Sequence, residues 1–547
     1  MSQQSKIDRR GFLAGAAGLG LGAASIQRSE AGVGAPGSTD DPVRLAQAPA
    51  DRPAAATAAA APTPSRTGFY TPTRFEGDVY DCEVLGKLPA DLDGAFIRVG
   101  GEWVYPPKYP DDAVLNSDGY ISQFTFRGGK VDYKGRWVRT ERFEANREAQ
   151  RQLYGYYRNP YTDDPKVRDP SRPALRTVSN TSPVFHAGKL FALKEDGLPR
   201  QIDPGTLATL GSWDFGGKWK SQTFTAHPRI DPVSGEMIAL GYEATGLASD
   251  DLFVYTIDSR GQVTREVRLK VPYVSVVHDM AITQKHVLLP FGGYVTSKER
   301  LQAGKIHWGW DASKPSHIGV LPRDGDATDV RWFRGPERCM MHVFNAHTEG
   351  NKVILYAPFY ESNFFPFFPP VDGTPWNPAK ARAYVRRITL DLASRADTWK
   401  EEILWDFPVG DLGRIDARFT SLPARYGFTG YTDPQRPFDE ARAGTARARV
   451  TNCYGRFDFA TGKLSSYFVG NTHSLQECQF IPRGPNAAEG DGYLIGVAAN
   501  YAEARSELIV ADAQRLEEGD IARVILPFRA STQVHGVWVS QGAQAQT

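Results

Sequence analysis

Residues 236–257 read EMIALGYEATGLASDDLFVYTI. Two short apolar runs, Glu236-Met-Ile-Ala-Leu and Leu252-Phe-Val-Tyr-Thr-Ile, flank Gly, Ala, Ser and Asp residues that favour a turn. The same pattern recurs at Lys130–Tyr133, Lys189–Leu193, His286–Leu289, Lys352–Tyr356 and Tyr493–Val497. Long helical periods are scarce, and 53 glycines and 38 prolines punctuate the runs. An all-β fold follows. The chain has 547 residues, beyond one ordinary core of roughly 100–200, although propellers and barrels hold more as a single domain. Many short antiparallel strands must protect their edges, and radial repetition into blades does so. No strict Trp-Asp repeat is present, so a β-propeller with irregular blades is expected, with an array of sandwiches as the alternative.

Composition narrows the function classes. A formal net charge of +1 gives no basic excess for nucleic acid. Cys82, Cys339, Cys453 and Cys478 are far apart with no C-x-x-C pair, so a cysteine zinc site is not expected. They read as buried small apolar residues rather than disulfides. Near the N-terminus, Arg9-Arg10 precedes a Gly/Ala-rich apolar stretch from Gly11 to Ala24. That stretch is shorter than the roughly 20 residues a bilayer requires. It reads as a twin-arginine export signal over residues 1–31, ending near Ser29-Glu30-Ala31. Residues 32–66 are Ala/Pro-rich and read as a flexible linker. The propeller domain is expected from residue 67 to 547, in the periplasm.

Four of the ten histidines share a local setting in or beside a strand-like run: His227, His278, His342 and His535. On a propeller they would stand on different blades and could meet at the axis. Neutral imidazole suits iron, copper, nickel and zinc alike. Spacing alone does not separate such a cluster from packed structural histidines. His347 lies five residues from His342, and along a strand an odd offset turns it to the opposite face.

The words around these histidines are similar to those of the carotenoid cleavage oxygenase family. They are Ala-His-Pro-Arg-Ile-Asp-Pro around His227, His-Asp-Met-Ala-Ile-Thr at 278–283 and His-Gly-Val-Trp at 535–538. The resemblance runs from about Gly68 to the C-terminus. It implies a seven-bladed propeller, with a loop and helical cap over iron(II) on the axis. His227, His278, His342 and His535 would be the four ligands, His342 being preferred to His347 because the ligand precedes Asn345-Ala346. His186, His286, His307, His317 and His473 are left as surface or structural residues.

The family also implies three acids behind the ligands, consistent with the general need of a ligating imidazole for a partner at its other nitrogen. Glu195 and Glu477 match two of them. The third falls in Val409–Asp416, where this chain has Asp411, one methylene shorter than glutamate. Either the backbone moves inward, or a water bridges, or the histidine is held loosely.

Within the family, Met341–Ile354, Arg158–Asp164 and Asn363–Pro370 resemble the lignostilbene dioxygenase branch. In that branch Tyr161 and Lys194 would hold the 4-hydroxyl of a phenolic stilbene, whose central double bond is split into two aldehydes. A para-phenolate pushes electron density into the alkene, and an ammonium and a hydroxyl stabilise it. Lys194 adjoins Glu195, so on a regular strand the two would face opposite sides. Tyr120 is a further candidate for the cavity wall. The aromatic–proline run 359–376 is expected to be a cavity wall or packed loop rather than a membrane contact. The partners implied are a small aromatic substrate and dioxygen. The alternatives are carotenoid or apocarotenoid cleavage and a propeller that only binds, against which the four histidines argue. A calcium hydrolase would need carboxylate and asparagine ligands instead.

Overall fold

The computed structural model describes residues 72–444 and 451–544. The expected export signal and linker lie outside the described residues. The chain forms a seven-bladed β-propeller, each blade an antiparallel sheet of three to five strands. The strands nearest the axis are β1 (Ser182–His186), β2 (Arg229–Ile230), β3 (Ala281–Ile282), β4 (Asn345–Glu349), β5 (Tyr426–Tyr431), β6 (His473–Pro482) and β7 (Gln533–Ser540). Neighbouring axial strands touch: β3 meets β4, β5 meets β6, β6 meets β7, and β7 meets β1.

Blade geometry explains the opening stretch of sequence. Met237–Tyr242 pairs with Asp251–Ile257, Met237 opposite Ile257. Every residue of Met237–Tyr242 is buried. Both faces of a mid-blade strand are covered by neighbouring blades, so the run is continuously apolar. Towards the rim, Val263–Lys270 mixes buried and exposed positions, because one face meets water. The core is therefore a set of layers between blades. In one of them Leu288, Ile318 and Phe333 of one blade meet Val353, Leu355 and Ile388 of the next.

The ring closes through the two ends of the chain. Gly94–Glu102 pairs with β7, Val99 opposite His535. Glu83–Gly86 adds the outer strand to the blade that begins with β6. The C-terminal strand β7 thus completes a sheet of N-terminal strands, and an N-terminal strand completes the sheet that begins with β6.

Long insertions, one between blades and two within them, form the cap. One has the helix Glu141–Ala149, whose first turn is capped by the Thr140 side chain accepting from the Phe143 amide. Another has the short helix Lys298–Gln302. They are tied by Asn159 Nδ2 donating to the carbonyls of Leu301 (3.0 Å) and Lys305 (2.6 Å). The aromatic–proline run joins them: Phe364, Phe365, Phe367 and Phe368 are buried, and Phe365 and Phe368 pack on Tyr294. Residues 363–368 are packed, whereas 371–375 are exposed. All four cysteines are buried and free. Among the described residues no helix is long and apolar enough to cross a membrane.

Candidate metal centre

His227 lies two residues before β2, and His278 and His342 each lie three residues before β3 and β4. His535 lies within β7. Three of the four histidines thus stand in the chain entering an axial strand rather than on the strand itself. All four are buried, and their donor atoms lie within 4.8 Å of one another. His278 Nε2 is 3.0 Å from His227 Nε2 and 3.1 Å from His342 Nε2.

Three of the imidazoles are backed by acids. His278 Nδ1 is 3.0 Å from Glu195 Oε1, His342 Nδ1 is 2.9 Å from Asp411 Oδ2, and His535 Nδ1 is 2.8 Å from Glu477 Oε1. All three acids of the sequence reading meet the histidines. His227 has no carboxylate partner among the described residues. Burial would raise the Glu477 carboxyl, but Arg414 and His535 outweigh it and hold it down at about 2. Glu195 lies well below the usual range: burial opposes ionisation, and the charges of His278 and Lys194 overcome it. Burial lowers His535 to about 4 despite Glu477. His227 also falls well below its ordinary value, through burial and then the other three imidazoles. His342 moves the other way: burial would lower it, and Asp411 raises it.

This arrangement fits a cation. At neutral pH His535 is uncharged, and its Nδ1–H donates to Glu477. Its Nε2 is then a lone pair, buried and without a hydrogen-bond partner. The Nδ1 atoms of His278, His342 and His535 face carboxylates, which leaves their converging Nε2 atoms as the donors that would face an ion. Carboxylates of Glu195, Asp411, Glu477 and Asp279 surround the cluster, accompanied by the cations Lys194, Arg229 and Arg414. An all-imidazole donor set suits iron, copper, nickel or zinc rather than calcium or magnesium.

Asp411 reaches His342 directly, which excludes a bridging water and a loosely held ring. Gly410 N donates to the Gly430 carbonyl at 2.7 Å. A Cβ on Gly410 would lie 2.8 Å from that oxygen, so glycine permits the approach. The Tyr360 hydroxyl is beside Asp411; burial and that acid raise it well above its ordinary value. His347 is on β4 and pairs with Glu349 at 2.9 Å, away from the cluster.

The opposition between Lys194 and Glu195 disappears because their strand ends at Leu193. Both lie in the turn that follows, where alternation no longer applies. Glu195 points at His278. Lys194, 2 % exposed, sets its ammonium 4.9 Å from the Tyr157 ring centroid and donates a 3.3 Å bond to Thr181 Oγ1. Tyr161 sits on the one-turn helix Pro160–Thr162, capped by Asn159. It is half-buried, and its hydroxyl makes no hydrogen bond among the described residues. Tyr120 packs against Trp137, and its hydroxyl donates to the Phe75 carbonyl.

Sequence reasoning missed two groups. Arg414 grips both oxygens of Glu477 at 2.9 Å and the Gly536 carbonyl at 3.2 Å. Its only signal was an arginine inside the segment already assigned to Asp411. Arg158 ion-pairs with Glu243 and donates to the Glu195 carbonyl at 2.9 Å. His307, fully buried, bridges Glu243 and the Arg158 carbonyl. It is a structural histidine, not a surface one.

The family model described as "Retinal pigment epithelial membrane protein" matches residues 70–540. The chain belongs to this family, the carotenoid oxygenases. It is 40 % identical over 479 residues to lignostilbene-alpha,beta-dioxygenase isozyme III of Sphingomonas paucimobilis, covering 87 % of this chain and 97 % of that protein. Identity is also 40 % to isoeugenol monooxygenase of Pseudomonas putida, covering 87 % and 98 %. The crystal structure of Pseudomonas brassicacearum lignostilbene dioxygenase superposes with a TM-score of 0.83 at 38 % identity, covering 87 % and 98 %. A more distant carotenoid oxygenase, the apocarotenoid oxygenase of Synechocystis, gives 0.73 at 23 % and shares the fold.

Proposed function

We propose that the protein is a non-haem iron(II) dioxygenase that cleaves the C=C bond of a 4-hydroxyphenyl alkene, a phenolic stilbene foremost, into two aldehydes. The observation behind the substrate class is Lys194. Its ammonium is buried on an aromatic face with a single long bond to a neutral hydroxyl, and among the described residues it has no ion pair within 4 Å. A buried cation of this kind favours an anionic oxygen from the substrate. The names of the relatives agree, since lignostilbene, isoeugenol and resveratrol all join a 4-hydroxyphenyl ring to an alkene.

His227, His278, His342 and His535 would hold the iron, with Glu195, Asp411 and Glu477 fixing the ring orientation of three of them. When bound, iron(II) supplies the activation of dioxygen. Lys194 and Tyr161 hold the 4-oxygen, stabilise its phenolate and place the alkene beside the metal. The phenolate raises electron density at the double bond, and the cap excludes water. One oxygen atom goes to each alkene carbon as the C=C bond breaks, so no outside reductant is required. Export by the twin-arginine route is part of the same proposal, supported by Arg9-Arg10 before the apolar stretch. Replacing both arginines by lysine should leave the protein in the cytoplasmic fraction; undiminished periplasmic protein in that variant would refute the twin-arginine route, and a parent protein absent from the periplasm would refute export.

The test is aerobic turnover of the iron-loaded protein with 4-hydroxystilbene and its 4-methyl ether. Products are trapped before exchange with water and weighed after reaction under 18O2. Label in both aldehydes is expected; label in one would favour a monooxygenase. The parent should strongly prefer the free phenol. Lys194→Ala should lose about 2 kcal/mol or more in kcat/KM on it, the scale of one preorganised donor, and keep its iron. If parent and variant treat both substrates alike, phenol activation is wrong and a polyene becomes the better substrate.

A further inference from the structure

Behind the histidines lies a carboxylate that touches none of them. Asp279 follows His278 and is 1 % exposed. Its Oδ2 accepts from the Val343 amide at 3.0 Å, and Val343 follows His342. Both of its oxygens accept from Arg229 Nη2, at 2.7 and 2.5 Å, and Arg229 stands two residues after His227. Its Oδ1 also takes the Met280 amide at 2.7 Å. Arg229 closes the figure by donating Nε to the Met280 carbonyl at 2.8 Å.

These bonds join the three segments that enter β2, β3 and β4. The segments come from three separate blades, and the histidines lie just outside the regular strand ladders. Sheet hydrogen bonding alone therefore does not fix their spacing. A single buried carboxylate does so through charge-assisted bonds, the stronger kind. The acids Glu195 and Asp411 set how two rings are turned; Asp279 sets how far apart three backbones stand.

We propose that Asp279 is a positioning residue for the metal centre, acting with Arg229 to preset the spacing of His227, His278 and His342. This rests on the reading of the four histidines as a metal site. Without the carboxylate, three blades must be drawn together by the ion itself, and affinity falls.

The experiment uses the full chain, freed of metal and titrated with cobalt(II), whose visible absorption reports coordination geometry. The parent should bind one cobalt. Asp279→Asn, which keeps shape and loses charge, should bind it about 10–100-fold more weakly, the range seen when a supporting partner is lost, and with an altered visible spectrum. Arg229→Gln, at a partly exposed position, gives a second route to the same broken pair and should move affinity and spectrum the same way. The double variant should be no worse than the weaker-binding single variant, because one unit has been broken. If the parent binds no cobalt, the metal reading falls and this proposal with it. If the parent binds and either folded variant keeps both its affinity and its spectrum, the positioning role is overturned while the metal reading stands.

Discussion

At the scale of a residue, a missing methylene has a visible consequence. An aspartate stands where the family has glutamate, and the distance from His342 to Asp411 is nonetheless 2.9 Å. The carboxylate then does for His342 what Glu195 and Glu477 do for their histidines. Removing it should loosen the ring and leave a buried imidazole without its partner. Asp411→Ala is expected to bind iron(II) roughly 10–100-fold more weakly in a metal titration. Asp411→Glu should not recover parent affinity, because Gly410 already lies against the Gly430 carbonyl and leaves the backbone little room to retreat. A titration unchanged in Asp411→Ala would make the acid a bystander. Histidines, acids and Lys194 were all legible in the sequence as candidates. They were so because family words surrounded them; the four histidines by residue type alone would have been lost among ten.

At the scale of an element, the sequence was legible where a segment is a strand and opaque where it stops being one. The run Lys189–Leu193 reads as β structure and is. Asp196-Gly197 signals a turn nearby, but the letters do not say that the strand stops at Leu193, before Lys194 and Glu195. The turn is stabilised from outside, by Arg158 on the Glu195 carbonyl. That arginine is itself held in the left-handed region, at φ 55°, by partners on other insertions. The approach of residues 409–411 to the axis depends in the same way on Gly430, whose own Cβ position is filled by Thr451. The cap was foreseen only as a family property. Its insertions have no period of their own, and their shape comes from contacts between segments distant in sequence.

At the scale of the whole molecule, the metal centre and the closure of the ring share a strand. His535 lies on β7, which pairs with Gly94–Glu102, and the other three histidines come from three other blades. An ion bound there would connect four blades, including the joint between the two ends of the chain. A ligand that binds only the folded state stabilises it by mass action, about 2.7 kcal/mol when its free concentration is about 100 times Kd. Unfolding entropy of roughly 2 cal/mol/K per residue amounts to about 1 kcal/mol per degree in a domain of this size. The iron-loaded protein should therefore melt about 3 °C above the chelated one, and added iron(II) should restore the difference. The shift should appear as one movement of the whole transition, because no single blade contains the site. His535→Ala and His278→Ala should each abolish it, while His286→Ala, at a half-buried position away from the cluster, should retain it. Scanning calorimetry with metal analysis of the same samples decides the matter. Equal melting temperatures for chelated and fully loaded parent would mean that the four histidines do not tie the propeller together through a metal.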